Sequence, residues 1–189
     1  MKTYAIVAAI AVGTLATALA SPSGLPAGWL QTGDAQTCQG RVVSASSAPS
    51  ANVFSLDCQP GTSGFSTLMQ QVAGTDYAGK RVRLSAQLRA EQLAAWGGLW
   101  MRADSGQRAT AFDNMYNRPL RGSFGWQPAE VVLDIPPDAT TLSFGFLLNG
   151  AGQLQATQFK LEVVANNVAV TGEGGTPVLP RQPRAMTPP

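Results

Sequence analysis

Residues 80–89 read KRVRLSAQLR, and this stretch decides the fold class of the chain. Polar and apolar side chains alternate along it, which is the period of a β-strand with one face in a core. Short apolar segments recur on both sides of it, separated by Gly, Pro, Asp or Asn. That spacing predicts an all-β protein, folded as a single antiparallel β-sandwich domain. The inward face of the stretch would hold Val82, Leu84, Ala86 and Leu88.

The same patterns place the remaining elements. Residues 91–95 have helical propensity but lead directly into Gly97-Gly98, so we expect a loop or a single turn there. Asn149-Gly150 is a strong turn signal between the last two strands. The other predicted strands are 41–44, 53–57, 65–72, 99–104, 110–115, 130–135, 141–148 and 158–164.

The first 20 residues have the pattern of a secretory signal peptide. Lys2 supplies a positive charge, an uncharged Ala-rich run follows, and Ala18-Leu19-Ala20 matches a signal-peptidase site. The run is shorter than the ~20 residues that a membrane-spanning helix needs. We therefore expect cleavage after Ala20 and export to the periplasm or beyond, with no membrane span in the mature chain.

The rest of the chain divides by composition. Residues 21–28 form a lead-in rich in small residues and proline, and residues 29–170 form the sandwich. Residues 171–189 form a Pro- and Gly-rich tail with too little apolar surface to order itself, so its composition predicts disorder. Such a tail is also a candidate docking segment for a protein partner.

The composition argues against several classes of function. The chain has 13 basic and 11 acidic residues, a formal net charge of +2, and no histidine. A near-neutral charge argues against nucleic acid as a partner. The absence of histidine removes the commonest general base and the usual partner of a serine or cysteine nucleophile, so we assign no catalytic residue. We expect no cofactor and no metal ion, because two thiols without histidine cannot complete the usual zinc shell.

Cys38 and Cys58 are the two cysteines of the chain. An exported protein passes through an oxidising compartment, so we expect them to form one intramolecular disulfide. A redox role is not expected, because catalytic pairs usually have the Cys-x-x-Cys spacing.

Eight motifs occur in order between residues 64 and 164. They are FSTLMQQ at 65–71, YAGKRVRLS at 77–85, GLWMR at 98–102, FDNM at 112–115, RPLRG at 118–122, Trp126, VLDIP at 132–136 and FGFLL at 144–148. Together they resemble a bacterial jelly-roll domain that is found as the C-terminal, ligand-side part of AraC-type transcriptional regulators and as a stand-alone protein. The resemblance implies a galactose-binding-like β-sandwich, similar to carbohydrate-binding modules, without established catalytic residues.

The chain departs from that family in two respects. It shows no helix-turn-helix pattern, so the DNA-binding role of the regulators is not carried over. The family also usually continues after its Gly-x-Gly turn with a Trp and acidic residues, whereas residues 150–158 read GAGQLQATQ. Any ligand or cation contact of that last strand is therefore not carried over either.

The residues around Trp100 form the candidate binding face. On the predicted strand 99–104, Trp100, Arg102 and Asp104 point away from the core, and an indole beside a guanidinium can stack on a sugar ring and bind its hydroxyls. On the next strand Phe112 and Asn114 share a face. Asp113 is expected to pair with Arg102 across the ladder.

Loop aromatics and arginines extend this face. Trp96, Tyr116 and Trp126 are expected in or beside loops, and Arg118 and Arg121 flank a predicted rim loop where they can meet an anionic ligand. Each of these side chains also has a plain structural interpretation, as a hydrophobic plug or a solvated charge. The predicted ligand-binding set is Trp100, Arg102, Asp113, Asn114, Arg118, Arg121 and Trp126.

Three functions remain open on the sequence. The favoured one is an exported, non-catalytic module that binds a carbohydrate or another small polar ligand. The alternative is an envelope structural or interaction protein, in which the same residues belong to the core and the Pro-rich tail docks a partner. A pairing of Arg102 with Asp113 can also be a structural ion pair and nothing more. The third is a polysaccharide-acting enzyme that uses two carboxylates among Asp104, Asp113 and Asp134.

Overall fold

The computed structural model describes residues 24–172 as nine strands and one short 3₁₀ helix, Gly74–Asp76. The predicted signal peptide, residues 21–23 of the lead-in and residues 173–189 of the tail lie outside the described residues. The strands are β1 (Leu30–Gly33), β2 (Cys38–Ser44), β3 (Asn52–Cys58), β4 (Phe65–Ala73), β5 (Arg81–Ser105), β6 (Arg108–Asp113), β7 (Leu120–Asp134), β8 (Thr141–Asn149) and β9 (Gly152–Val164).

The 25-residue strand β5 joins two antiparallel layers. Its first part, from Arg81 to Glu91, pairs with β7 and β9, and its last part, from Trp96 to Ser105, pairs with β8 and β6. We call the order β1-β4-β8-β5-β6 the front sheet and the order β2-β3-β9-β5-β7 the back sheet. The predicted antiparallel β-sandwich is confirmed.

The core lies between the two sheets and explains why they pack. The alternation of residues 80–89 is confirmed, because its apolar side chains all join the core cluster. The sheets approach closely at Gly40 of β2, where a Cβ would come within 2.3 Å of the Leu68 Cδ2 of β4. The lead-in also contributes, since Leu25 is buried in the same cluster. Large side chains with no exposed surface include Leu56, Leu68, Leu84, Leu99, Phe146 and Leu154.

The loop predicted at residues 91–95 is wrong, because these residues continue β5. The ladder with β7 shifts register three times between Leu88 and Gly97, and Gln92 has a φ of 53°. Such irregularities bend a strand without ending it. Pairing with β7 and β9 therefore overrides the local helical propensity and carries one strand from the back sheet into the front sheet.

Two local predictions are confirmed. Cys38 and Cys58 lie opposite each other on β2 and β3 and form a disulfide. A bridge across this separation is worth roughly 3 kcal/mol in the chain-entropy account. The turn at Asn149-Gly150 connects β8 and β9, and Gly150 adopts a φ of 78° there. Between residues 24 and 172, no helix has the length and apolar character needed to cross a membrane.

Candidate functional site

A groove of about 540 Å³ runs over the outer face of the front sheet. The strand register brings its lining together in rows that cross the sheet. One row joins Leu30, Met69, Gly145 and Trp100, from β1 to β5. A neighbouring row joins Gln71, Ser143, Arg102 and Phe112, and a third joins Phe65, Asn149 and Trp96.

The floor of the groove is a small apolar cluster, separate from the main core. It consists of Met69, Trp96, Trp100 and Leu147, all buried. Trp100 is only 8% exposed, so its indole is a supporting surface rather than an open stacking platform. The exposed aromatic rings must therefore be sought at the rim.

Trp100 is held across three strands. Its Nε1 donates to the Thr67 Oγ1 at 2.7 Å, and this hydroxyl donates in turn to the Phe146 carbonyl at 2.7 Å. The indole starts on β5 and reaches β4, two strand spacings or about 9–10 Å away. It therefore crosses β8 above Gly145, which offers no side chain in its path.

Trp96 is held in a comparable way at the other end of the floor. In the amide orientation that satisfies both groups, the Asn149 side-chain oxygen accepts from the Trp96 Nε1 at 3.0 Å, and the Asn149 nitrogen donates to the Gly64 carbonyl at 3.1 Å. The Tyr116 ring meets the indole edge to face, with 5.8 Å between ring centroids. Both indoles are thus fixed, which makes the floor rigid.

The rim carries exposed apolar side chains. Phe65, Phe112 and Leu30 line the groove, and Phe65 and Phe112 are 52% and 46% exposed. Tyr116 is 72% exposed and lies beside the groove, against Trp96 of its floor. Among the described residues, the other exposed large hydrophobic side chain is Val163, on the back sheet. Exposed apolar side chains that gather at one place mark interaction surfaces.

Three planar polar side chains lie among these rings with hydrogen-bonding groups to spare. The Arg102 Nε donates to the Asp104 Oδ2 at 3.0 Å, and its two terminal nitrogens have no partner among the described residues. The Asn114 Oδ1 accepts from the Tyr116 amide at 3.1 Å, which leaves its NH₂ group for a ligand. The Gln71 Nε2 donates to the Ser143 Oγ at 3.0 Å, which leaves its oxygen.

The predicted pairing of Asp113 with Arg102 is wrong. Phe112 and Asn114 face the groove, so Asp113 between them points the other way, opposite Met101. Its carboxylate instead accepts from both terminal nitrogens of Arg118, at 3.0 and 2.6 Å. The alternation of side chains along β6 therefore places the Asp113 carboxylate on the opposite face from the Arg102 guanidinium.

Asp113 belongs to a buried anchor below the groove. Its carboxylate also accepts from the Thr171 Oγ1 at 2.6 Å and from the Met115 amide at 2.8 Å. Burial works to raise its pKa, but the hydrogen bonds from Arg118, Thr171 and the Met115 amide together outweigh it, so the pKa of the Asp113 carboxyl lies below its ordinary value. Thr171, assigned by composition to the tail, is thereby fixed to β6 and to Val132 of β7.

The structure brings Trp100, Arg102 and Asn114 of the predicted set together in the groove and places the other members elsewhere. Arg118 lies in the loop between β6 and β7 but binds Asp113. Arg121 lies on β7, and its Nη1 donates to the Ala95 carbonyl at 2.9 Å. Trp126 is half-buried inside β7 and Trp96 lies inside β5, so the expectation that they lie in or beside loops is wrong for both.

Sequence reasoning missed the contribution of β1 and β4. Phe65, Thr67, Met69 and Gln71 all line the groove, and they occupy alternate positions of one strand. That alternation was visible in the FSTLMQQ motif. What the sequence did not show was that β4 lies two strands from Trp100, because that neighbourhood depends on β8 pairing between them.

The three carboxylates considered for catalysis are each held by a different arginine. Asp104 pairs with Arg102, Asp113 with Arg118, and Asp134 with Arg81. None of the three lines the groove. Within residues 24–172, no three His, Cys, Asp or Glu side chains are grouped as a metal site requires.

Comparison with known proteins gives one relative by sequence. No family model matches the chain. An uncharacterized HTH-type transcriptional regulator of Bacillus subtilis (strain 168), YbfP, is 39% identical over 108 residues, which are 57% of this chain and 37% of that protein. The chain thus spans about a third of the length of this relative, which is consistent with a domain shared with regulators.

Solved structures share the fold at low sequence identity. The CBM61 module TmCBM61, in complex with β-1,4-galactotriose, has a TM-score of 0.51 at 15% identity, covering 75% of this chain and 92% of that one. The CBM22-1 xylan-binding domain of Paenibacillus barcinonensis Xyn10C has a TM-score of 0.52 at 11% identity, covering 72% and 86%. The chain therefore has the jelly-roll fold that these carbohydrate-binding modules use.

Proposed function

We propose that this chain is an exported, non-catalytic module that binds a carbohydrate in the front-sheet groove. The observation that carries the proposal is the combination of exposed rings and unsatisfied planar polar groups around one rigid floor. A pyranose has an apolar face of C–H groups and a rim of hydroxyls, so it needs both kinds of contact at once. Phe65, Phe112 and Tyr116 supply the first, and Arg102, Asn114 and Gln71 supply the second.

Binding without cleavage fits the charges of the groove. Hydrolysis of a glycosidic bond usually needs two carboxylates at a defined separation. Asp104, Asp113 and Asp134 do not line the groove, and each is already paired with an arginine. The fold shared with modules described as binding galactotriose and xylan supports the same class of ligand.

The binding test is calorimetric titration against neutral oligosaccharides, beginning with xylohexaose and β-1,4-galactotriose. Phe112 is 46% exposed. A sugar that covers half of the exposed area of a ~200 Å² ring buries about 50 Å², which is worth roughly 1.2 kcal/mol or about eightfold in Kd. We expect Phe112→Ala to weaken binding by that factor.

Val163→Ala is the matched control, because Val163 is equally exposed but lies on the back sheet. It should leave the Kd unchanged. The absence of binding to any glycan in a broad panel would argue against a carbohydrate ligand. An equal loss in both variants would argue against this groove as its site.

Export is part of the same proposal. The signal-peptide pattern of residues 1–20 supports it, and the Cys38–Cys58 disulfide is of the kind that persists in oxidising compartments. Expression of the full chain in a bacterial host, followed by intact-mass measurement of the periplasmic and medium fractions, should find a protein that begins at Ser21. A full-length chain confined to the cytoplasm would contradict this.

A further inference from the structure

The groove has one charged side chain in its lining, that of Arg102. The other twelve lining residues have apolar, aromatic, hydroxyl or amide side chains. Asp104 does not line the groove, but it offsets part of the Arg102 charge from the Nε side. A ligand in the groove therefore meets the donors of a guanidinium and no lining carboxylate, which favours a negatively charged group at that point.

The orientation of Arg102 leaves its terminal nitrogens for such a ligand. The Nε donates to the Asp104 Oδ2 at 3.0 Å, and the Asp104 side chain is largely buried, which fixes the inner edge of the guanidinium. The Nη1 and Nη2 make no hydrogen bond within residues 24–172, and the side chain is 44% exposed. Two parallel N–H groups at the end of an arginine match the two oxygens of a carboxylate.

The neighbour of Arg102 places the charge beside a stacking surface. Arg102 and Phe112 are directly opposite each other on β5 and β6. Opposed residues of an antiparallel pair have Cβ atoms about 5 Å apart, which is close to the width of one pyranose ring. A sugar that stacks on Phe112 therefore holds its exocyclic group at the guanidinium.

We propose that the groove recognises a glycan containing uronic acid, whose carboxylate binds the Arg102 Nη1 and Nη2 while its ring packs on Phe112. The inference rests on the proposed carbohydrate-binding function and specifies its ligand class. Asn114 follows Phe112 by two residues and also lines the groove, and its NH₂ group then donates to a ring hydroxyl.

The test uses two ligand pairs whose members differ only by esterification of their carboxylates. Tetragalacturonate is compared with its methyl ester, and xylotetraose bearing one glucuronic acid is compared with the methyl ester of the same oligosaccharide, all by calorimetric titration. We expect the wild-type protein to bind at least one acidic partner roughly tenfold or more tightly than its neutral counterpart, as charge-assisted hydrogen bonds allow. The preference should shrink in about 1 M NaCl, where the Debye length is about 3 Å.

Variants assign the preference to Arg102. Arg102→Gln should abolish the preference, so that acidic and neutral partners bind equally; the neutral sugar should weaken only by the loss of one hydroxyl contact, which the glutamine amide can partly replace. Arg102→Lys should retain part of the preference, because a point charge lacks the two parallel donors. Arg89→Gln is the matched control, because Arg89 pairs with Glu91 on the back-sheet part of β5. It should leave the preference intact.

The possible outcomes distinguish a failure of the uronate assignment from a failure of the proposed carbohydrate binding. Equal affinity for the acidic and neutral partners in both pairs overturns the uronate assignment and leaves carbohydrate binding standing. A preference that persists in Arg102→Gln also overturns it, because the charge is then recognised elsewhere. Failure to bind any of the four ligands, together with failure across the neutral panel, overturns the proposed function as well.

Discussion

Gly145→Ala tests whether β4, β8 and Trp100 are arranged as the groove requires. Gly145 lies on β8 between Met69 of β4 and Trp100 of β5. An ideal Cβ at this position would lie 2.1 Å from the Leu68 carbonyl oxygen and 2.8 Å from the Met69 Cα. Both atoms belong to the backbone, so the added methyl cannot be accommodated by a side-chain rotation, and β4 must move away from β8.

Overpacking that displaces backbone costs about 3 kcal/mol, the upper end of the usual range. For a folded unit of this size, that loss lowers the melting temperature by roughly 6–12 °C. The same displacement moves Thr67 relative to the indole that it holds, so tryptophan emission in the native state should also shift. Urea unfolding followed by circular dichroism gives the free energy, and native-state fluorescence reports the indole.

Gly125→Ala is the matched control on β7. A Cβ there would meet nothing within 4 Å, and the backbone is outside the left-handed region. Alanine at such a position restricts the unfolded chain and should stabilise the protein by up to about 1 kcal/mol. The two substitutions thus have opposite expected signs. A Gly145→Ala protein as stable as the wild type would refute the close approach of the β4 backbone to Gly145 of β8.

Two further predictions concern parts of the fold outside the groove. Asp113→Asn should lower the free energy of unfolding by about 2 kcal/mol near pH 6, because Arg118 loses its charged partner but stays partly solvated. Folding lowers the pKa of Asp113 from about 3.9, so the stabilisation by its carboxylate is present above pH 4 and is lost as pH falls through the folded-state pKa. The difference in melting temperature between variant and wild type should therefore narrow below pH 4, and a constant difference down to pH 2 would contradict this. Reduction of the Cys38–Cys58 disulfide should lower the free energy of unfolding by roughly 3 kcal/mol. The bridge joins two strands of the back sheet, so the Kd for a glycan should not change while the protein stays folded; a folded, reduced protein that no longer binds would show that the groove depends on the bridge.

Local pattern identified most strand segments and the direction of their side chains, but it predicted neither β1 nor residues 120–129 of β7. The alternation in residues 80–89 and the opposition of Leu99 to Trp100 follow from the two-residue period alone, and both hold in the structure. The continuity of β5 through residues 91–95 did not follow. A strand that bends through bulges is stabilised by its neighbours, and those neighbours are distant in sequence.

The groove was only partly predictable for the same reason. Trp100 and Arg102 come from β5 and Asn114 directly follows β6, so the three are close in sequence, whereas Thr67 and Phe65 come from β4. Pairing register is a tertiary property, so nothing local placed β4 beside the Trp100 indole. The predicted pairing of Asp113 with Arg102 was wrong for a simpler reason. Side chains alternate along a strand, so residue 113 points away from the face that residues 112 and 114 share.

The two outer faces of the sandwich differ in a way that bears on where a ligand can bind. The back sheet carries ion pairs between its own strands, including Arg41 with Asp57 and Arg83 with Glu162. Such pairs satisfy each other and water and contribute little to stability, and the one exposed large hydrophobic side chain described on this sheet is Val163. The front sheet instead presents exposed rings around buried indoles. A ligand that covers these rings removes apolar surface from water, which contributes favourable free energy to binding. The front sheet is therefore the face on which the binding experiments should be directed.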